Sequence, residues 1–286
     1  MLEQGKKEII ISWVGWEPLR KKDEIIRFNN HIRSMTINKD AAFFSNVITN
    51  GCLLNEDAVR SLYESGVTYY ELRLDKTAHD QQRILANDAC VFQAAEKNIH
   101  NMLKSELNFT LTIQVSITAV DLEFSFYDTF FPYKEDRRLL FKIIELGKCG
   151  VNDFYLLLQN NGKCANNTLK QHKEYLKSLG FTLIEEMKKG ILSNGCYAAS
   201  QDMFVIRADG KIGKCTYALD DENNNIGYLD IENNRMVIDY NAEDLWAYNP
   251  LDTACYVCKN LATCCNRSCP LEKQKNLGSN RCCINL

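Results

Sequence analysis

Nine of the thirteen cysteines lie between Cys196 and Cys283, and the run Cys255-x2-Cys258-x5-Cys264 continues through Cys265 and Cys269 to Cys282 and Cys283. A C-x-x-C turn is short enough for both sulfurs to reach one metal centre, and thiolate runs of this kind hold zinc ions or iron–sulfur clusters. Upstream, Cys196 and Cys215 flank Asp209-Gly210, a pair that favours a tight hairpin because glycine accepts positive φ. Such a hairpin between Met203–Arg207 and Lys211–Thr216 returns Cys215 toward Cys196. Sulfur-rich sites suit zinc as well as iron, so a zinc ion that staples a small domain stands beside an iron–sulfur assignment at this point.

The setting narrows the choice. The chain has 286 residues, 45% of them hydrophobic, and a formal charge of −3. It is long enough for one large domain or two smaller ones, and the weak charge gives no electrostatic reason to expect nucleic acid or an anionic membrane as partner. The N-terminal MLEQGKKEII lacks the apolar stretch of a secretory signal, and the longest apolar run falls short of a membrane span. A cytoplasmic location follows as an expectation, and a reducing compartment favours thiolate ligands over disulfides.

Residues 1–185 alternate apolar strands with amphipathic helices. Strands are expected at Ile9–Val14, Asn46–Thr49, Tyr69–Leu74, Leu111–Ile117 and Phe154–Leu158. Helices are expected at Lys22–Met35, Glu56–Ser65, Asp80–Lys104, Glu135–Leu146 and Leu169–Leu179, the last stopping at Gly180. Such βα repetition calls for right-handed crossovers and a parallel sheet, closed or partly closed into a barrel. After Gly195 the chain turns cysteine-rich, which divides it into domains 1–185 and 186–286.

With these elements in place, the pattern Cys196-x13-Gly210-x4-Cys215, then Cys255-x2-Cys258-x5-Cys264 with Cys269 and a terminal cysteine, resembles the SPASM domain of radical SAM enzymes. Upstream, Gly15-Trp16-Glu17-Pro18 looks like the Gly-Gly-Glu-Pro loop of that family, and Thr49-Asn50-Gly51 with Leu53-Leu54 resembles its Thr-Asn-Gly motif. Leu74-Asp75 followed by His79-Asp80 and Arg83 fits the next such segment. The resemblance implies an α/β fold, a partial (β/α)6 radical SAM barrel lacking its first βα unit, followed by a small cysteine-rich α+β iron–sulfur domain. It implies S-adenosylmethionine bound at Gly15, Glu17 and Pro18, with Glu17 holding the methionine amino group. It further implies two auxiliary [4Fe-4S] clusters. Cys196, Cys215 and Cys269 would serve one, with Cys164 a weak candidate for its fourth position. Cys255, Cys258, one of Cys264/Cys265 and one of Cys282/Cys283 would serve the other. The implied partners are a peptide or protein substrate and an electron donor such as flavodoxin or ferredoxin, and the implied activity is radical modification of a ribosomally made peptide or protein side chain.

Two departures bear on that activity. The Cys-x3-Cys-x2-Cys motif, whose three thiolates leave one iron open to chelate the cofactor, occurs nowhere, and residues 1–51 hold no cysteine. The expectation is a chain truncated before its first barrel strand, with a degenerate, non-catalytic binding or scaffold module as the alternative. Trp16 also stands where the family has glycine, and its ring is expected to crowd the methionine end of the pocket. The plainer readings apply elsewhere. Cys52, Cys90 and Cys149 are expected to be small buried hydrophobes, and His31, His79, His100 and His172 surface or helix-face residues. The aromatic stretch Phe124–Tyr133 is expected to pack as core or as a covering loop.

Overall fold

The computed structural model describes residues 5–73, 91–117, 124–145, 165–184, 196–247 and 270–275. The chain divides into two compact units, Met1–Cys149 with Tyr155–Glu185, and Gly150–Phe154 with Glu186–Leu286.

The first unit runs β1 (Glu8–Trp13), α1 (Lys22–Ile37), β2 (Ala42–Thr49), α2 (Glu56–Glu64), β3 (Val67–Arg73), α3 (Val91–Lys104), β4 (Thr110–Ile117), α4 (Ser125–Asp128), β5 (Leu139–Glu145) and α5 (Ala165–Ser178). The five strands are parallel and stand in chain order. A doubly wound sheet reverses its strand order partway; this one does not, so its winding is that of a β/α barrel. Phe141 N–H donates to Thr182 O (3.0 Å) and Ile184 N–H to Phe141 O (2.7 Å), so the chain after α5 begins a further parallel position beside β5.

Local chemistry sets the boundaries. At the start of α2 the Asn55 side chain accepts from Ala58 N, acidic Glu56 and Asp57 occupy the first turn, and Ala58, Val59 and Leu62 share the buried face. Gly180 takes φ +88° just past α5, the left-handed stop that glycine tolerates. Alternation places Val47, Tyr70, Leu72, Leu111, Ile113 and Val115 in one apolar core under the helices, with the intervening residues on the other face of the sheet.

Among the described residues one element departs from expectation; the strand expected at Phe154–Leu158 lies outside them. The helix expected at Glu135–Leu146 does not form over the described residues 135–145, where Leu139–Glu145 is the strand β5. Leu139, Phe141 and Ile143 are buried in the core while Leu140 and Lys142 are half-buried opposite. A strand covered on both faces loses its clean alternation, so its apolar run also fits helical spacing. The described part of the β4–β5 connection carries the aromatic stretch. Phe126, Tyr127 and Phe130 are buried in the core, with Phe130 and Tyr127 edge-on to Phe141 at 5.9 and 5.8 Å. Nor is His172 a surface residue: it is 2% exposed, its Nδ1 lies 3.0 Å from the Tyr127 hydroxyl, and burial pushes that phenol's pKa up.

Arg138 ties the start of β5 to the end of α3. Its guanidinium donates to the carbonyls of Leu103, Ser105 and Leu107 and to the Asp136 carboxylate, and lies 4.9 Å from the Phe109 ring centroid. Arg138→Met is expected to cost about 3 kcal/mol, because half-buried carbonyls lose a charged donor, read as a lowered urea midpoint at unchanged m-value. Hydrogen bonds from Arg138 hold the Asp136 carboxyl below the usual carboxylate range. The stability this contributes is present above the ordinary carboxylate pKa and is lost as pH falls through the lowered value. That acid-limb dependence is expected to shrink in the same variant.

The second unit contains β6 (Val205–Ile206), β7 (Lys211–Gly213), β8 (Gly227–Asp230) and β9 (Arg235–Ile238), antiparallel in that order, with α6 (Tyr240–Ala247) and α7 (Pro270–Lys275). Its core joins Ala198, Ile212, Cys215, Ala218, Ile226, Trp246 and Leu271. The Asp209-Gly210 turn forms, with Gly210 at φ +81° and its N–H on Arg207 O.

Candidate functional site

Glu17 stands in the loop after β1 and Thr49-Asn50-Gly51 at the end of β2, the C-terminal end of a parallel sheet where barrel proteins place their ligands. Glu17 Oε1 accepts from Leu19 N–H (3.0 Å), which caps the 3-10 turn Pro18–Lys21, and from the Thr49 hydroxyl (2.8 Å). Oε2 accepts from Asn50 N–H (2.9 Å) and shares the same hydroxyl (2.9 Å). Three protons therefore meet a carboxylate with about four lone-pair sites, which leaves room for one further donor. Glu17 is thus a bridge between the ends of β1 and β2 rather than a solvated loop carboxylate.

The second loop is fixed from below. Gly51 takes φ +82°, and a Cβ there would lie 2.7 Å from Leu72 Cδ2. Asn98 on α3 donates to Gly51 O (2.9 Å) and Cys52 O (3.0 Å). Sequence reasoning missed Asn98, since an asparagine in an amphipathic helix carries no signal of what it caps. Gly15 has φ +156°, and Trp16 is 88% exposed, so within the described residues its ring fills no pocket. The loop's footing is a buried polar contact: Trp13 Nε1–H donates to Asn29 Oδ1 (3.1 Å), and Asn29 Nδ2 donates to Ser45 Oγ (3.0 Å), joining β1, α1 and β2.

In the second unit Cys196 and Cys215 pack against one core. The Tyr197 hydroxyl accepts from Thr216 N–H (3.1 Å) and lies 2.7 Å from Thr216 Oγ1. Burial, and then the neighbouring Cys215 and Cys196, raise that phenol's pKa, while its bonds to Thr216 oppose the rise. Asn224 shapes the segment carrying Cys215. Its Oδ1 accepts from Lys214 and Cys215 N–H, and its Nδ2 donates to Cys215 O and Ala218 O. A Cβ at Gly213 would lie 2.4 Å from Asn224 O, so glycine permits this approach. The Cys215 sulfur accepts from Tyr217 N–H at 3.4 Å, a donor suited to a thiolate ligand. Cys255, Cys258, Cys264, Cys265, Cys269, Cys282 and Cys283 lie outside the described residues, as do Cys90, Cys149, Cys164 and His79. Cys52 is half-buried against the first unit's core. His100 is held on α3, with ring nitrogens 3.2 Å from the Tyr133 hydroxyl and 3.3 Å from Thr129 Oγ1.

No protein-family model and no curated protein matches this sequence. Solved structures do match its fold. Native anSMEcpe with bound AdoMet and the Kp18Cys peptide aligns over 92% of this chain and 76% of its own at 14% identity and TM-score 0.56. Native anSMEcpe with bound AdoMet aligns over the same shares at 18% identity and TM-score 0.57. A histidine-tagged form with bound AdoMet, again over the same shares, gives 15% identity and 0.57. At these identities what is shared is the fold: an α/β chain whose parallel sheet is wound as a partial β/α barrel, with a further C-terminal domain. Among the described residues no helix is long and apolar enough to cross a membrane.

Proposed function

We propose that this chain is a radical SAM/SPASM protein that binds S-adenosylmethionine at the Glu17 loop, holds auxiliary [4Fe-4S] clusters in its second unit and, where a three-thiolate cluster is supplied, serves radical modification of a peptide or protein side chain. The observation that carries the reading is the Glu17 carboxylate, bridged between two strand ends with acceptor capacity to spare. A carboxylate so held suits the ammonium of the cofactor's methionine end, and anSMEcpe, which shares the fold, was solved with AdoMet and with a peptide. Pro18 starts the turn that Glu17 caps, and Gly15 gives the loop its positive φ. Cys196 and Cys215 fit a cluster by donor chemistry, as thiolates on one core beside a backbone N–H donor. Bound clusters supply one-electron transfer, and the electron would come from a flavodoxin or ferredoxin.

Glu17→Gln tests the loop. Its amide turns an N–H toward a backbone donor, so AdoMet affinity by anaerobic equilibrium dialysis is expected to fall roughly tenfold or more, the loss of a charge-assisted bond, while Lys21→Gln changes nothing. Failure of the unaltered protein to bind AdoMet overturns the reading.

A second reading rests on one observation, the lack of a Cys-x3-Cys-x2-Cys motif anywhere in the sequence: a binding or scaffold module whose metal, iron–sulfur or zinc, is retained for structure. On either reading these residues bind and orient, and cofactor cleavage belongs to a three-thiolate cluster that the sequence does not encode. Formation of 5′-deoxyadenosine under strong reductant by the chain alone would contradict that division.

A further inference from the structure

The Thr49-Asn50-Gly51 loop that meets Glu17 is seated on one helix. Ala95 and Asn98 stand three residues apart on α3 and share its inner face, Ala95 fully buried and Asn98 8% exposed. A Cβ added to Gly51 would come within 3.3 Å of Ala95 Cβ and 2.7 Å of Leu72 Cδ2, so the glycine backbone lies directly against α3 and β3. A side-chain amide on this face, beside the buried Ile99 and Met102, is costly to bury unless it is hydrogen-bonded. The two donors of Asn98 Nδ2 meet that need on Gly51 O and Cys52 O. Gly51 O also accepts from Leu54 N–H at 3.2 Å, which closes a turn over residues 51–54.

From this anchor the hydrogen bonds run on to Glu17. Gly51 N–H donates to Thr49 Oγ1 (3.1 Å), and that hydroxyl lies within reach of both Glu17 oxygens. Asn50 N–H, one residue before Gly51, meets Glu17 Oε2. Gly51 is therefore held at its carbonyl by α3 and at its N–H by the hydroxyl that aims the carboxylate. We propose that Asn98 is a positioning residue for Glu17: by pinning the Gly51 and Cys52 carbonyls it sets where Thr49 and Asn50 hold that carboxylate, and so the affinity for the amino end of AdoMet. The inference deepens the proposed function and rests on it for the identity of the ligand. Asn98 acts through the loop. Without its donors two inward-facing carbonyls must find others, the loop moves, and a displacement well under 1 Å is enough to spoil a directed bond to a ligand.

The test pairs ligand binding with amide hydrogen exchange on the full chain. Asn98→Leu keeps the volume and suits a helix, and is expected to weaken AdoMet roughly fivefold in anaerobic equilibrium dialysis, part of the loss expected for Glu17→Gln. Methylthioadenosine has the nucleoside and the sulfur without the amino-acid end, and its affinity is expected to stay unchanged. In a Glu17→Gln background Asn98→Leu is expected to cause no further loss. Asn101→Leu, at an exposed position of the same helix, is the control and is expected to change neither ligand. With no ligand present, the Asn50 and Gly51 amides are expected to exchange about tenfold faster in Asn98→Leu while Ile113 and Val115 on β4 keep their protection. Unchanged exchange at Asn50, or a rise shared equally by Ile113 and Val115, overturns the positioning role. Equal loss of both ligands, or a further loss in the Glu17→Gln background, overturns its link to the amino end. If the unaltered chain binds no AdoMet and Asn98→Leu still frees the Asn50 amide, the positioning of Glu17 stands and the proposed function falls.

Discussion

Lys214→Met is expected to destabilise the second unit by about 3–5 kcal/mol, the cost of stranding one member of a buried ion pair. Lys214 is fully buried; its ammonium donates to Ser200 O at 2.6 Å, lies 3.6 Å from Glu243 Oε1 and sits 4.9 Å from the Phe204 ring centroid. Glu243 is 7% exposed, and its buried Oε1 has no hydrogen-bond partner among the described residues. Without the lysine that carboxylate faces no cation among the described residues. Removing both charges is a different matter: Lys214→Met with Glu243→Met is expected to recover most of the loss, because paired desolvation is then relieved. Desolvation is the larger influence on Lys214 and lowers its pKa, with Glu243 opposing. Its charged form is therefore costlier in the folded than in the unfolded chain, so stability rises as pH increases from the lowered value toward the ordinary lysine value. That alkaline rise is expected to vanish in the double variant. Urea denaturation across a double-mutant cycle checks both points, and strictly additive losses would show the pair uncoupled.

The second large effect concerns metal. If Cys196 and Cys215 serve one cluster, Cys196→Ser with Cys215→Ser is expected to remove about four of about eight irons per chain, one cluster of two. The two residues are well prepared for that role: Tyr197, next to Cys196, is bonded to Thr216, next to Cys215, and Asn224 fixes the Cys215 segment from behind. Serine keeps the volume, so the fold given by Ile212, Ile226 and Trp246 is expected to survive, with far-UV circular dichroism as the check. Cys52→Ser is the control and is expected to lose no iron. Equal losses from the control and the pair would remove the two cysteines from any ligand set.

Much of the first unit is legible in the sequence. β1 to β4 show apolar alternation or apolar runs and Gly180 marks the stop of α5, while in the second unit Gly210 marks the β6–β7 turn, for backbone reasons that tertiary contacts do not alter. β5 is not legible, because a strand covered on both faces gives up the alternation that separates it from a helix. His172 also eludes sequence reasoning: its burial depends on Tyr127 and Phe124, aromatic residues on a different segment. Gly15, Glu17 and Pro18, the residues proposed for the cofactor, can be picked out from sequence, yet the partner of Glu17 across the β1–β2 gap, Thr49, emerges only when the strands are parallel and in register. Glu71, Gln114 and Lys142 read in sequence as interruptions of apolar runs. Only the pairing of β3, β4 and β5 brings them onto one face of the sheet.

The most direct test of the account is the iron, sulfide and zinc content of this chain after anaerobic purification and cluster reconstitution. About eight irons with matching sulfide, twice the content of one four-iron cluster, is the predicted result. Stoichiometric zinc with little iron or sulfide would contradict the iron–sulfur assignment and leave a metal-stapled binding module in its place.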